Sequence, residues 1–275
     1  MKKWIQKQIK GIKTYYARDG LKGVLYYIKH RFYNRLIKPV LHADFWIPFS
    51  AERRLAKRFE ATFPKVDNTH FLTMGNYVIY DDKSLSNESV VYSLGVLANT
   101  DFDQAVADKY LCPIYLFDPS NIARDHLQKV NNPLFKFQQI GVWNETVEMN
   151  FKTPKYGGSP SMIASHDGKQ FVHQCVDIKS VLAEHQHDRI DILKMDIEGA
   201  AFAILERLLE IEVYPKQIIA EFERMNRDDV MNFFNFYTRL IHLNNQLKNL
   251  GYKAYVIPRD KYKYFSIELI FVRHV

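Results

Sequence analysis

Between residues 89 and 272, short apolar runs alternate with stretches of helical period, and this alternation leaves few folds open. Ser89–Leu94 reads as a strand and Asp103–Tyr110 as a helix, and Pro113–Phe117 with Ile122–Lys129 repeats the pair. Phe135–Val142 and Thr146–Phe151 read as strands on either side of Asn144-Glu145, and Pro154–Ser161 as a loop. Phe171–Val176 then reads as a strand and Ile178–His185 as a helix. Ile190–Met195, Ala200–Leu209, Gln217–Phe222 and Asp229–Leu250 continue strand, helix, strand, helix. Strands that alternate with helices build a mainly parallel sheet covered on both faces. The last two strands, Lys253–Ile257 and Ser266–Val272, are joined by Pro258–Phe265. That connection is too short for a parallel crossover, so the sheet should end in an antiparallel hairpin. Upstream, residues 50–61 read as a helix, Pro64–Asn68 as a loop and Tyr77–Tyr80 as a short strand.

The segment ahead of this body has a different composition. Eleven lysines and arginines against two acids fall within residues 1–46, while the whole chain carries a net charge of +7. The basic excess therefore lies in that segment and the body is close to neutral. Ile5, Ile9, Ile12 and Tyr16 recur at helical spacing, as do Leu21, Leu25, Ile28, Phe32 and Leu36 after Asp19-Gly20. A cationic, aromatic-rich amphipathic segment suits an anionic membrane surface, and it equally suits helices packed on the domain with their lysines solvated. Residues 1–68 are expected to form a basic helical extension and residues 69–275 the main domain. A near-neutral body gives no reason to expect a nucleic-acid partner. No apolar run approaches the roughly 20 residues of a spanning helix, and no signal-peptide core follows Lys2 and Lys3. With only Cys112 and Cys175, no disulfide framework is expected. The expected location is the cytoplasm, with peripheral attachment to the inner face of the membrane.

Ligands of open α/β sheets bind beyond the carboxyl ends of the strands. The first such end is Val90-Val91-Tyr92-Ser93-Leu94-Gly95, where a glycine permits a tight turn and close backbone approach. The second is Leu116-Phe117-Asp118-Pro119. Its acid stands where it can meet a ribose hydroxyl, or can cap the helix that follows. The third and most specific is Lys194-Met195-Asp196-Ile197-Glu198-Gly199-Ala200. It delivers two carboxylates to the sheet edge and turns the chain on a glycine. His166, His173, His185 and His187 show no metal-ligand spacing, so no metal is expected; a divalent ion on Asp196 and Glu198 is the lesser alternative.

This third stretch resembles the Lys-x-Asp-x-Glu-Gly-Ala signature of FkbM-type methyltransferases. Val90–Gly95 followed by Asp101-Phe102-Asp103 is similar to the first motif of a branch of that family, and Leu116–Pro119 to its second. Ile219-Ala220-Glu221-Phe222-Glu223 and Glu268–Val272 resemble its later strands. The resemblance covers roughly residues 75–273. It implies the class I, Rossmann-like methyltransferase fold, with S-adenosylmethionine as cofactor. It further implies methyl transfer to a hydroxyl of a glycan, glycolipid or natural product. Ser93, Gly95, Asp103, Asp118, Gly141 and Asp196 are the expected cofactor residues. Asp196, Glu198 and Glu221 are the expected catalytic residues, in that order. Two other readings stay open. A degenerate methyltransferase-fold binding module at a membrane surface is kept by the glycine-poor first motif, with Leu97 and Asn99 after Gly95. An NAD-dependent oxidoreductase is disfavoured, since no Gly-x-Gly-x-x-Gly is present.

Overall fold

The computed structural model describes residues 51–152, 170–197, 199–224, 230–258 and 266–274, with residues 12, 13, 16, 20–22, 24, 25, 27 and 28 of the N-terminal segment. The chain divides into two compact units, Met1–Arg58 and Phe59–Val275. In the first, the described residues between 12 and 28 are helical. Ile12, Tyr16, Leu21, Leu25 and Ile28 among them are 37% to 74% exposed. The remainder of the expected amphipathic pair, and the 154–161 loop, lie outside the described residues. Among the described residues no helix is long and apolar enough to cross a membrane.

After helix α1 (Ala51–Glu60) comes the hairpin β1 (Phe71–Met74) and β2 (Tyr77–Tyr80). The alternating body follows as β3 (Val91–Leu94), α2 (Asp101–Tyr110), β4 (Ile114–Phe117), α3 (Asn121–Val130) and β5 (Phe135–Gln138). Next are β6 (Gly141–Trp143), β7 (Val147–Lys152), β8 (Gln170–Asp177) and α4 (Ile178–Glu184). The chain ends with β9 (Ile192–Met195), α5 (Ala201–Glu210), β10 (Gln217–Glu223), α6 (Val230–Asn249), β11 (Tyr252–Val256) and β12 (Ser266–Arg273).

Among the described residues, seven strands form the main sheet in the order β11-β12-β10-β9-β3-β4-β5. β3, β4, β5, β9 and β10 are parallel neighbours. β12 runs antiparallel between β10 and β11, as the short final connection requires. Every residue of β3 and β9 is buried, which is why these strands read as mainly apolar runs, each with one polar residue, Ser93 and Lys194. One face is covered by α4, α5 and α6 through residues such as Val181, Ile204, Leu205, Leu240 and Leu243. The other is covered by α2, α3 and the β1–β2 hairpin through Phe102, Val106, Leu127, Phe71 and Ile79. Burying a Leu, Ile, Val or Phe side chain contributes roughly 1.5–3 kcal/mol each. The two apolar layers therefore hold the strand ends in fixed register.

Two parts of the sequence reading change. Phe135–Val142 is not one strand. It breaks at Gln139-Ile140: β5 closes the edge of the main sheet, and β6 belongs to a separate three-stranded sheet of order β6-β8-β7. Gly141 marks the break, because a Cβ there would lie 2.5 Å from Cys175 Sγ on β8. The structure adds the strand β1, where the sequence pattern assigns no element. Phe71–Met74 and Tyr77–Tyr80 pair in register across the two-residue turn Gly75-Asn76, with Gly75 at φ +57°.

The hairpin is fixed at both ends. The Gln217 side chain accepts from Tyr80 N at 2.7 Å and donates to Tyr80 O at 2.8 Å. At the tip, a Cβ on Gly75 would meet the Asp101 carbonyl carbon at 2.5 Å, so the turn lies against the first residues of α2.

Candidate functional site

A cavity of about 360 Å³ opens where β3, β4 and β9 end, within the size range of small-molecule sites. Each strand contributes through the residue just after it. Gly95 follows β3, Asp118 follows β4 and Asp196 follows β9; all three line the cavity, with Asp103, Gly141 and Lys194. Sequence distance is large here but the register is shared: Leu94 lies opposite both Phe117 and Met195.

The turn after β3 is shaped by backbone contacts. Gly95 has φ +81°, and a Cβ on it would stand 1.9 Å from Asp196 O. Its N–H donates to Phe117 O at 3.0 Å, and the Asp196 N–H donates to Leu94 O at 3.0 Å. Lys194, buried in the otherwise apolar β9, donates from Nζ to Gly95 O at 2.6 Å. Asp118 Oδ2 accepts from Val96 N at 2.9 Å and Leu97 N at 2.8 Å, and Oδ1 accepts from Ser120 N at 2.8 Å. The helix cap itself is Ser120, whose hydroxyl accepts from Ala123 N.

The hairpin supplies the remaining wall, through Asn76 and Tyr77. The Tyr77 hydroxyl donates to Asp196 Oδ2 at 2.8 Å. Lys194 Nζ lies 5.3 Å from the centre of the Tyr77 ring, and Phe102 packs edge-on to it at 5.6 Å. Burial, and next the Asp196 charge, push the Tyr77 hydroxyl far above the ordinary phenol range. It remains a proton donor at any physiological pH. Burial likewise pushes the Asp103 carboxyl upward, opposed by the Lys194 charge and the neighbouring Ser93 hydroxyl.

The Methyltransferase FkbM domain model matches residues 91–254, more than half of the chain. The chain belongs to the FkbM methyltransferase family. It is accordingly an S-adenosylmethionine-dependent methyltransferase, and the dehydrogenase alternative falls away. No curated protein matches the sequence. Among solved structures, an rRNA methylase from Streptococcus thermophilus aligns at 12% identity and TM-score 0.38, over 70% of this chain and 90% of that one. A protein from Streptococcus mutans, described as a methyltransferase in complex with SAH, aligns at 8% identity and TM-score 0.40, over 80% and 97%. The fibrillarin pre-rRNA processing protein of Methanococcus jannaschii aligns at 12% identity and TM-score 0.38, over 74% and 70%. At such scores these likenesses carry no argument, and the fold rests on the strand order above.

The cavity suits the cofactor of an FkbM methyltransferase. S-adenosylmethionine brings a sulfonium and an ammonium against one carboxylate, and so is a net cation. Among the described residues, the carboxyl side chains lining the cavity are Asp103, Asp118 and Asp196, with Lys194 the one basic group. Phe102, Phe117 and Val142 give apolar surface for a flat base.

Of the residues expected from sequence, Gly95, Asp103, Asp118, Gly141 and Asp196 converge on this one cavity. Ser93 is wholly buried in β3 and does not line it. Glu221 sits on β10 opposite Glu268 of β12, outside the lining, although its charge is felt at Tyr77. Glu198 lies outside the described residues. The sequence reading gives no site role to Lys194, Tyr77 or Asn76, although Lys194 opens the quoted signature. A lysine inside Asp-Ile-Leu-Lys-Met was a signal, because a buried charge needs a partner. So was Gly-Asn between Phe-Leu-Thr-Met and Tyr-Val-Ile-Tyr, which reads as a hairpin turn.

Proposed function

We propose that this FkbM methyltransferase acts on a hydroxyl of a glycan, glycolipid or natural product, and that Asp196 receives the proton which that hydroxyl loses. The observation that carries the reading is the Asp196 carboxylate at the cavity wall. Oδ2 is held by the Tyr77 hydroxyl, while Oδ1 meets no donor among the described residues. A carboxylate fixed by one oxygen and open at the other is suited to accept a proton from a neutral nucleophile. The cofactor supplies an electrophilic methyl group on sulfur. The residues Gly95, Asp103, Asp118 and Gly141 would hold it at the strand ends, and the hairpin would exclude water beside Asp196. Incubation with tritium-labelled S-adenosylmethionine and separated cell extracts tests this. Label is expected in glycan or glycolipid fractions as a base-stable methyl ether. Label only in protein or nucleic acid would refute the acceptor class.

We further propose that residues 1–46 hold the enzyme to an anionic membrane surface, where a lipid-linked acceptor would be met. The support is the basic excess of that segment together with the exposure of Ile12, Leu21, Leu25 and Ile28. Each Lys or Arg near such a surface contributes roughly 1 kcal/mol, so a handful gives reversible attachment. Full-length protein should pellet with phosphatidylserine vesicles at low salt. It should release at 1 M salt, where screening shortens electrostatic reach to about 3 Å. A chain lacking residues 1–46 that pellets equally well would remove the membrane role.

A further inference from the structure

We propose that Asp118 fills the anion site of its own cofactor loop, and that this occupancy decides which nucleotides the cavity accepts. Successive backbone N–H groups beside a left-handed residue form a cradle for anions. In dinucleotide-binding folds the equivalent turn, at the end of the first strand, presents its N–H groups to a pyrophosphate. Here Gly95 stands at φ +81° and Leu97 at φ +49°, and the N–H groups of Val96 and Leu97 both point at Asp118 Oδ2. The anion in the cradle is therefore a side chain of the protein. Leucine rarely adopts a left-handed conformation, and the grip of Asp118 on its N–H gives a reason for it here.

Two consequences follow for ligands. A phosphate would have to displace a carboxylate that is 6% exposed and held by three backbone donors. A carboxylate offers about four lone-pair positions. With three taken, Asp118 has room to accept from a single ribose hydroxyl. The cavity thus favours a nucleoside without phosphate and with a cationic tail, and turns away adenine nucleotides bearing a pyrophosphate. The cradle arm of this proposal is independent of the cofactor assignment; the ligand arm rests on it.

Full-length Asp118→Ala and Asp118→Asn proteins test it. Melting temperature is followed against formate and phosphate, with chloride at matched ionic strength as reference. S-adenosylhomocysteine and ADP-ribose binding are followed by calorimetry. Formate and phosphate should raise the melting temperature of Asp118→Ala saturably, with no such rise in the wild type. Asp118→Asn keeps one acceptor oxygen for the cradle and should stay insensitive. S-adenosylhomocysteine affinity should fall by about tenfold or more in Asp118→Ala. ADP-ribose should bind that variant and not the wild type. Should Asp118→Ala fail to fold in chloride, its refolding yield in formate gives the same readout. No gain from either anion over chloride, or an equal gain in Asp118→Asn, would overturn the proposal. Wild-type protein that ignores S-adenosylhomocysteine would count against the cofactor assignment alone.

Discussion

Replacing Asp196 with Asn is expected to slow methyl transfer by about 10²–10⁴-fold, the usual contribution of a positioned base. Affinity for the uncharged-sulfur product, S-adenosylhomocysteine, should change little. The substitution is close to isosteric, and the amide oxygen can still accept from the Tyr77 hydroxyl that now holds Oδ2. What is lost is the second oxygen as a proton acceptor, because an NH₂ group stands in its place. The variant should therefore melt near the wild-type temperature and bind S-adenosylhomocysteine within a few-fold by calorimetry. Label transfer into the wild-type acceptor fraction would be reduced. Transfer at nearly the wild-type rate would remove Asp196 as the base, and with it the main support for a hydroxyl acceptor activated at this edge.

Replacing Gly95 with Ala should act on the fold and the site together. The new methyl would stand 1.9 Å from Asp196 O, well inside van der Waals contact, on a residue whose φ is +81°. The conformational strain is worth about 1–2 kcal/mol, and forcing the two turns apart roughly 1–3 kcal/mol more. A loss of about 2–5 kcal/mol in urea unfolding is the combined expectation. Separation of the turns would also strain the contacts of Gly95 O with Lys194 and of Leu94 O with Asp196 N. S-adenosylhomocysteine binding should fall below detection. A loss under about 1 kcal/mol with binding intact would mean that the two strand ends are not locked together as described.

Sequence patterns revealed the main sheet because its central strands are buried on both faces and leave short, mainly apolar runs, as Val91–Leu94 and Ile192–Met195 do. They revealed Gly95, Asp118 and Asp196 because these follow strand ends directly. The hairpin was harder. β1 is four residues long, with Leu72 half-buried and Thr73 exposed at its centre, and its one local sign is the Gly75-Asn76 turn that follows. Tyr77 meets Asp196 across 119 residues, a pairing that no local pattern announces. The break within 135–142 was hidden for a related reason. β5 and β6 are both apolar enough to be strands, and only the tertiary requirement at Gly141, close approach to Cys175, separates them. Asp118 was recognised as an acid at a useful position, but its grip on two backbone N–H groups depends on the fold of a loop 21 and 22 residues earlier.

The place of β12 in the sheet has a consequence for how the protein is made. This strand is the last of the sheet to be synthesised, yet it lies inside, hydrogen-bonded to β10 on one side and β11 on the other. Until residues 266–273 leave the ribosome, β10 presents an unpaired edge carrying Ile218, Ile219 and Phe222, all buried in the finished protein. At about 5–20 residues per second that exposure lasts a few seconds, long enough for an open apolar edge to recruit another chain. The methyltransferase unit should therefore complete its sheet only after synthesis has passed β12, and nascent chains stalled before it are natural clients for chaperones.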